Sequence, residues 1–158
     1  MNIKGKKVLV FGSGISGTAA GRLLLCQGAK VVLYDGNVSL DKEKIHAQIA
    51  SGTAGEVEVI LGELPLEVLD SLSLTVISPG VPTDLPIVEE MRRRKIPIWG
   101  EIELAYVFGK GEVLAITGTN GKTTTTALLG EIMKEAGKDT FVVGNIGNPY
   151  TDIALETK

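Results

Sequence analysis

Lys7-Val8-Leu9-Val10-Phe11-Gly12-Ser13-Gly14-Ile15-Ser16-Gly17 is the stretch on which the fold turns. Val8 to Phe11 is an unbroken apolar run between lysines and a glycine, the pattern of a strand buried on both faces. Ser16 to Gln27 continues as a helix, with Ala19, Ala20, Leu23, Leu24 and Cys26 apolar and Gly28 placed as its cap. Between them Gly12, Gly14 and Gly17 fit G-x-G-x-x-G. Glycines at that spacing permit a tight turn, close approach of backbone to a phosphate, and close helix–strand packing. A diphosphate is therefore expected on the helix N-terminus, where free N–H groups and the dipole favour anions. Lys30 to Tyr34 reads as a second buried strand ending at Asp35, where an acidic group can read a ribose hydroxyl.

The alternation continues outward. Leu40 to Ala50 reads as an amphipathic helix, Val57 to Leu61 and Leu74 to Ile77 as strands, and Leu85 to Arg94 as a helix. Ile96-Pro97-Ile98 is a short extended piece and Glu101 to Phe108 a further helix. Strands alternating with helices predict an α/β fold, a Rossmann-like parallel sheet with helices on both faces. Ser78-Pro79-Gly80-Val81-Pro82 closes the fourth strand on the edge where open sheets bind ligands, and reads equally well as a rigid turn.

The theme then restarts after Gly109-Lys110-Gly111. Glu112 to Thr117 is predicted as a strand, Thr123 to Ala136 as a helix and Thr140 to Val143 as a strand. The expected division is 1–109 for the first unit and 110–158 for the beginning of a P-loop α/β domain. Two parallel strands do not close a core, so the second unit reads as cut short. Gly118-Thr119-Asn120-Gly121-Lys122-Thr123-Thr124 lies between its first strand and helix. There, backbone amides converge on a polyphosphate, Lys122 supplies charge for the terminal phosphates, and the Thr123 hydroxyl is placed for Mg²⁺. The spacing departs from the usual triphosphate loop, because Ile116 stands five positions before Gly121. Gly144-Asn145-Ile146-Gly147-Asn148-Pro149 ends the last strand, with Asn145 a donor to a phosphate oxygen or simply a turn residue.

Composition bounds the remainder. The chain has 158 residues, 44% hydrophobic and 22% charged, so it can bury a core. Its net charge of −3 argues against nucleic acid or an anionic membrane as partner. No apolar run reaches the ~20 residues of a membrane span, and Val8 to Phe11 is too short for a signal-peptide core, so a soluble cytoplasmic protein is expected. A single cysteine excludes an internal disulfide. Cys26 reads as a small core residue, His46 as surface, Trp99 as packing, and Arg92-Arg93-Arg94-Lys95 as a solvated helix end. Glycine is the one excess, 20 residues gathered where strands hand over to helices.

With both loops in view the chain resembles the Mur ligase family of peptidoglycan synthesis. The residues carrying this are Ile116 through Thr124 and Gly144-Asn145-Ile146-Gly147. The Gly-x-Gly-x-Ser-Gly turn, Ser78-Pro79-Gly80-Val81 and Gly100-Glu101-Ile102-Glu103-Leu104 point to the member that adds D-glutamate to UDP-N-acetylmuramoyl-L-alanine. The resemblance implies an ATP-dependent ligase, with ATP and Mg²⁺ required, that works through an acyl phosphate. It implies that Gly14, Ile15, Ser16, Asp35, Gly36, Gly80 and Asn145 contact the UDP-sugar. It further implies that Gly118, Thr119, Asn120, Gly121, Lys122, Thr123 and Thr124 form the ATP loop, with Lys122 catalytic and Thr123 near the metal. Asn37 stands where some relatives carry an arginine. The family's remaining metal-holding residues and its amino-acid domain would follow Lys158, so this chain is expected to bind without catalysing. A different class stays open on the first loop alone: an NAD-dependent oxidoreductase or NAD-sensing module, which Asp35 supports.

Overall fold

The computed structural model describes residues 2–53, 55–144 and 146–158. Five strands, β1 (Lys7–Phe11), β2 (Lys30–Asp35), β3 (Val57–Leu61), β4 (Leu72–Ile77) and β5 (Ile98–Gly100), form one sheet in the order β3-β2-β1-β4-β5. Every pairing is parallel, with Val8 beside Val31 on one side and Leu74 on the other. The chain runs outward from β1 to β3, then returns to the far side of β1 with β4. That reversal leaves a crevice beyond the carboxyl ends of β1 and β4, the standard ligand position in open parallel sheets.

Period-2 alternation assigns each face. Val8, Val10, Val31, Leu33, Leu74 and Val76 are buried on one side, against helices α1 (Ile15–Cys26), α2 (Lys42–Ala50) and α5 (Glu101–Phe108). Leu9, Phe11, Val32, Tyr34 and Ile77 face the other side, with α3 (Leu66–Leu69) and α4 (Pro86–Arg93) supplying Leu69, Val88 and Met91. Strands covered on both faces tend to read as continuous apolar runs, as β1 and Val31–Tyr34 of β2 do, while β4 includes Ser73 and Thr75. Two expectations shift. The single-turn α3 is too short to show a period. Cys26 is exposed rather than core, because it is the last residue of α1, where the helix leaves the sheet.

Beyond Phe108 the structure departs further from expectation. The predicted strand Glu112 to Thr117 does not form, and Leu114 is 61% exposed. Thr140 to Val143 contributes only an isolated bridge between Val143 and Asn148. A buried parallel strand needs lateral partners for its N–H and C=O groups. The helix α6 (Lys122–Glu135) does form, but its own core is slight: Gly130 is buried beneath Val142 while Leu128 is 60% exposed. The final helical turn α7 (Tyr150–Ile153) was not expected. It packs on α1 and α5 through Tyr150, Thr151 and Ile153, followed by Ala154. Arg22 of α1 tethers it, its guanidinium donating to Asp152 Oδ1 at 2.6 Å and to the Gln48 carbonyl at 3.2 Å. Thr157 Oγ1 accepts from the Lys110 amide at 2.9 Å, so the end of the chain lies along the 109–111 segment. Among the described residues, no helix is long and apolar enough to cross a membrane.

Candidate functional site

The glycine-rich turn after β1 contains two glycines that pack and one that is open. Gly12 has φ +102°, and a Cβ there would lie 2.9 Å from Ser78 Cβ and 3.2 Å from Val81. A Cβ on Gly17 would lie 1.9 Å from the Gly12 carbonyl oxygen, so only glycine lets α1 start against the turn. Around Gly14 nothing comes within 4 Å of a Cβ. Gly14 is the N-cap of α1, which has no side-chain cap and no acidic residue in its first turn. An uncapped helix start of that kind offers its amides and dipole to an anion.

The turn is fastened from both sides. The Gly12 amide donates to the Tyr34 carbonyl at 2.8 Å, and the Ser78 amide to the Phe11 carbonyl at 3.0 Å. Asp35, at the end of β2, accepts from the Ser13 amide (2.9 Å) and hydroxyl (2.7 Å) on Oδ2, and from the Asn37 amide (3.0 Å) on Oδ1. Burial alone would raise its pKa, but the Ser13 and Asn37 donors outweigh it and hold the carboxyl below the usual aspartate range. Asp35 therefore braces the loop as a carboxylate. Beside it the Tyr34 ring packs on Phe11 with centroids 4.7 Å apart, and its hydroxyl donates to the Gly62 carbonyl at 3.0 Å. Burial, with Asp35 and Glu63 nearby, pushes the Tyr34 phenol up, so it stays protonated.

Gly12 through Gly17, Tyr34, Asp35 and Gly36 form one wall of a cleft of about 780 Å³, and Ser78 through Pro82 with Leu85, Pro86 and Ile87 form the other. Gly80, like Gly14, has open space where a Cβ would stand. Ile15 is 77% exposed beside this cleft. The walls thus combine backbone donors with apolar surface, which suits a ligand having a charged centre and flat or apolar ends. Gly14, Ile15, Ser16, Asp35, Gly36 and Gly80 are brought together here; Asn145 lies outside the described residues. Tyr34 and the Leu85–Ile87 corner were not foreseen as lining, since in sequence they read as core strand and helix start.

Residues 118–124 do not line this cleft and make a second, separate feature. Gly118 (φ +147°) and Gly121 (φ +76°) occupy left-handed conformations, which turns the chain into α6. That helix also starts without a side-chain cap or an acidic residue in its first turn. Lys122 Nζ reaches back to donate to the carbonyls of Gly118 and, at 3.3 Å, Thr119. Uncapped amides with an ammonium folded over the same loop fit a polyphosphate. For a divalent cation the exposed Thr123 hydroxyl is one ligand only. Among the described residues no group of three or more His, Cys, Asp or Glu side chains gathers to complete such a site.

A parallel sheet with a glycine turn at its switch point, followed by a Gly-Lys-Thr loop at a helix start, defines a nucleotide-binding α/β protein. Comparison with known families is more specific. The family model "Mur ligase MurD-like, N-terminal domain" matches residues 6–100, and "Mur ligase middle domain" matches residues 116–157. The chain belongs to the Mur ligase family. It is 52% identical over 157 residues to the UDP-N-acetylmuramoylalanine--D-glutamate ligase of Lachnospira eligens, a match covering 99% of this chain and 34% of that protein. The ligase of the same name from Lachnoclostridium phytofermentans is also 52% identical, over 100% of this chain and 34% of its own. The chain therefore spans about a third of the length of these curated relatives. Among solved structures, a murein peptide ligase from Psychrobacter arcticus matches at TM-score 0.56 and 22% identity, over 84% of this chain and 27% of that one. A pseudomurein peptide ligase type C from Methanothermus fervidus matches at TM-score 0.52 and 26% identity, over 84% and 26%.

Proposed function

We propose that this chain carries the UDP-sugar-binding unit (1–109) and the first part of the ATP-binding unit (110–158) of an ATP-dependent ligase joining D-glutamate to UDP-N-acetylmuramoyl-L-alanine. The observation that carries the reading is the cleft at the β1/β4 switch point, where the open Gly14 turn faces the open Gly80 loop. The diphosphate lies on the free amides of α1 at Gly14, Ile15 and Ser16. The uridine end packs beside Asp35 and Gly36, and the sugar runs toward Gly80; Asn145 is proposed as a further contact on the family resemblance alone.

On the second loop, ATP supplies a phosphoryl group that converts the alanine carboxylate to an acyl phosphate, which the D-glutamate amine then attacks. The amides of residues 118–124 and the Lys122 ammonium hold the triphosphate and offset the charge that develops in transfer. Lys122 already sits against the Gly118 and Thr119 carbonyls, so a small swing carries it to the phosphates. The Thr123 hydroxyl would be one ligand if Mg²⁺ binds with the nucleotide. The isolated chain is expected to bind the nucleotides without turnover. A ligase drawing on ATP and a nucleotide-linked sugar works in the cytoplasm.

The test is calorimetric titration of the chain with UDP-N-acetylmuramoyl-L-alanine, with NAD as control. Saturable heat with the UDP-sugar alone supports the reading. Saturable heat with NAD alone replaces it with a dinucleotide-binding module, and ADP formation by the isolated chain refutes the expectation that it binds without turnover.

A further inference from the structure

The chain leaves the first unit after α5, where the Gly109 amide donates to the Ala105 carbonyl at 2.7 Å, and comes back to that unit at α7. Tyr150, Thr151, Ile153 and Ala154 are buried there, and all but Thr151 belong to the same apolar cluster as Val8, Leu24 and Leu104. Phe108, just ahead of the linker, and Val143, ahead of α7, lie against that cluster too. The outgoing and returning segments also touch each other. A Cβ on Gly109 would lie 2.6 Å from Tyr150 Oη, and one on Gly111 would lie 3.5 Å from Thr157 Cβ. The Thr157 hydroxyl accepts from the Lys110 amide at 2.9 Å and donates to the Ala154 carbonyl at 2.7 Å, so one group ties the linker to the end of α7. Arg22 fastens α7 from the other side. Its Nε and Nη2 donate to Asp152 Oδ1 at 3.2 and 2.6 Å, while Nη1 holds the Gln48 carbonyl at 3.2 Å.

Residues 112–149, which carry the 118–124 loop, are therefore held at both ends on one patch of the first unit. A body on one tether can turn freely about it; two adjacent, packed tethers take that freedom away. We propose that α7 is a second anchorage, belonging with the first unit, which sets the 118–124 loop at one orientation to the β1/β4 cleft. The helix α1 is the common frame: its N-terminus at Gly14 opens on the cleft, and Arg22, about two turns further along, grips α7. A helix of one turn has no stability of its own, so α7 exists only by virtue of what it packs on. A fixed orientation serves the proposed chemistry, since a phosphoryl group held by the 118–124 loop must reach a carboxylate held in a cleft that this loop does not line. In that purpose alone the proposal rests on the reading above; the anchorage itself does not.

The experiment is pulsed dipolar EPR on the chain without ligand. Cys26, the single cysteine, is exposed at the end of α1 and takes one nitroxide; Glu135→Cys, at the exposed end of α6, takes the other. The expected result for this labelled parent is one narrow distance distribution. Ile153→Asp sets a carboxylate where an apolar side chain is packed, which costs more than leaving a one-turn helix undocked. Its distribution is expected to broaden by about 10 Å, the reach of Gly109-Lys110-Gly111 as a lone flexible tether. Should that variant not fold, Asp152→Arg, which opposes two guanidinium groups and leaves the packed side chains in place, carries the same prediction of broadening. A folded variant, with a cooperative thermal transition by circular dichroism, that keeps the parent's distribution overturns the proposal. So does a parent distribution already about 10 Å broad. No ligand enters the measurement, so either result leaves the cleft reading intact, and failure of the chain to bind the UDP-sugar leaves the anchorage standing.

Discussion

The sharpest prediction separates two glycines three residues apart. Gly17→Ala introduces a methyl 1.9 Å from the Gly12 carbonyl oxygen, whereas Gly14→Ala introduces one with nothing within 4 Å. An ordinary contact is about 3.5 Å, so at position 17 the turn and α1 must part by roughly 1.5 Å. Overpacking of that kind costs ~1–3 kcal/mol, and here the obstacle is backbone rather than a movable side chain. At this chain length each kcal/mol lowers Tm by about 2–4 °C, so Gly17→Ala is expected to melt ~2–12 °C lower. Gly14 has φ −68°, which alanine adopts freely, and an alanine at an N-cap costs about 1 kcal/mol at most relative to glycine. Its effect falls on the ligand. A methyl between the diphosphate and the α1 amides removes at least one charge-assisted hydrogen bond, about 2 kcal/mol or ~30-fold in Kd. Thermal unfolding followed by circular dichroism, with calorimetric titration of the UDP-sugar, measures both. A Gly17→Ala chain that melts with the wild type, or a Gly14→Ala chain that is destabilised by several kcal/mol, refutes the assignment of packing and ligand-facing roles.

Three further outcomes follow from the same geometry. Because the Asp35 pKa is lowered on folding, its contribution to stability is present above the unfolded value and lost as pH falls through the folded one. Asp35→Asn should cost about 1 kcal/mol at pH 7 and flatten the acid limb of a pH–Tm curve. Arg22→Ala removes a half-exposed ion pair worth ~1 kcal/mol or less, so global stability should hardly change. Amide exchange should nevertheless accelerate across 150–157, where α7 loses its tether. Lys122→Met should leave Tm unchanged while weakening ATP affinity by about 10- to 100-fold, read by titration with a non-hydrolysable ATP analogue.

The inner strands were legible because burial on both faces leaves little room for polar residues, so Val8–Phe11 and Val31–Tyr34 announce themselves as apolar runs, while the edge strand Val57–Leu61 tolerates the exposed Glu58. The glycine turn was legible for a related reason: Gly12 and Gly17 occupy positions where any side chain collides, and such positions constrain residue type strongly. The strands predicted near 112–117 and 140–143 failed because a local pattern cannot report whether lateral partners exist. Helix α7 was missed because a single turn has too few residues to display a period, and its burial depends on α1 and α5. Within the cleft, Asp35 looked like a free acceptor for a ribose, while the structure commits it to Ser13 and Asn37. Glu101 read only as the first residue of a helix and as part of the Gly100–Leu104 run. Its seclusion against α1 is set by tertiary packing and leaves no trace in its neighbours.

The central claim is that the β1/β4 cleft holds the UDP-sugar, and amide chemical-shift mapping tests it most directly. Titrating the isotopically labelled chain with UDP-N-acetylmuramoyl-L-alanine is predicted to move the amide signals of Ser13 through Ser16 and of Asp35, Gly36 and Gly80, with saturation at a common Kd. Those of 118–124 should move only when an ATP analogue is added. Shifts confined to residues away from these loops, or the same cleft signals moving with NAD and not with the UDP-sugar, would contradict it.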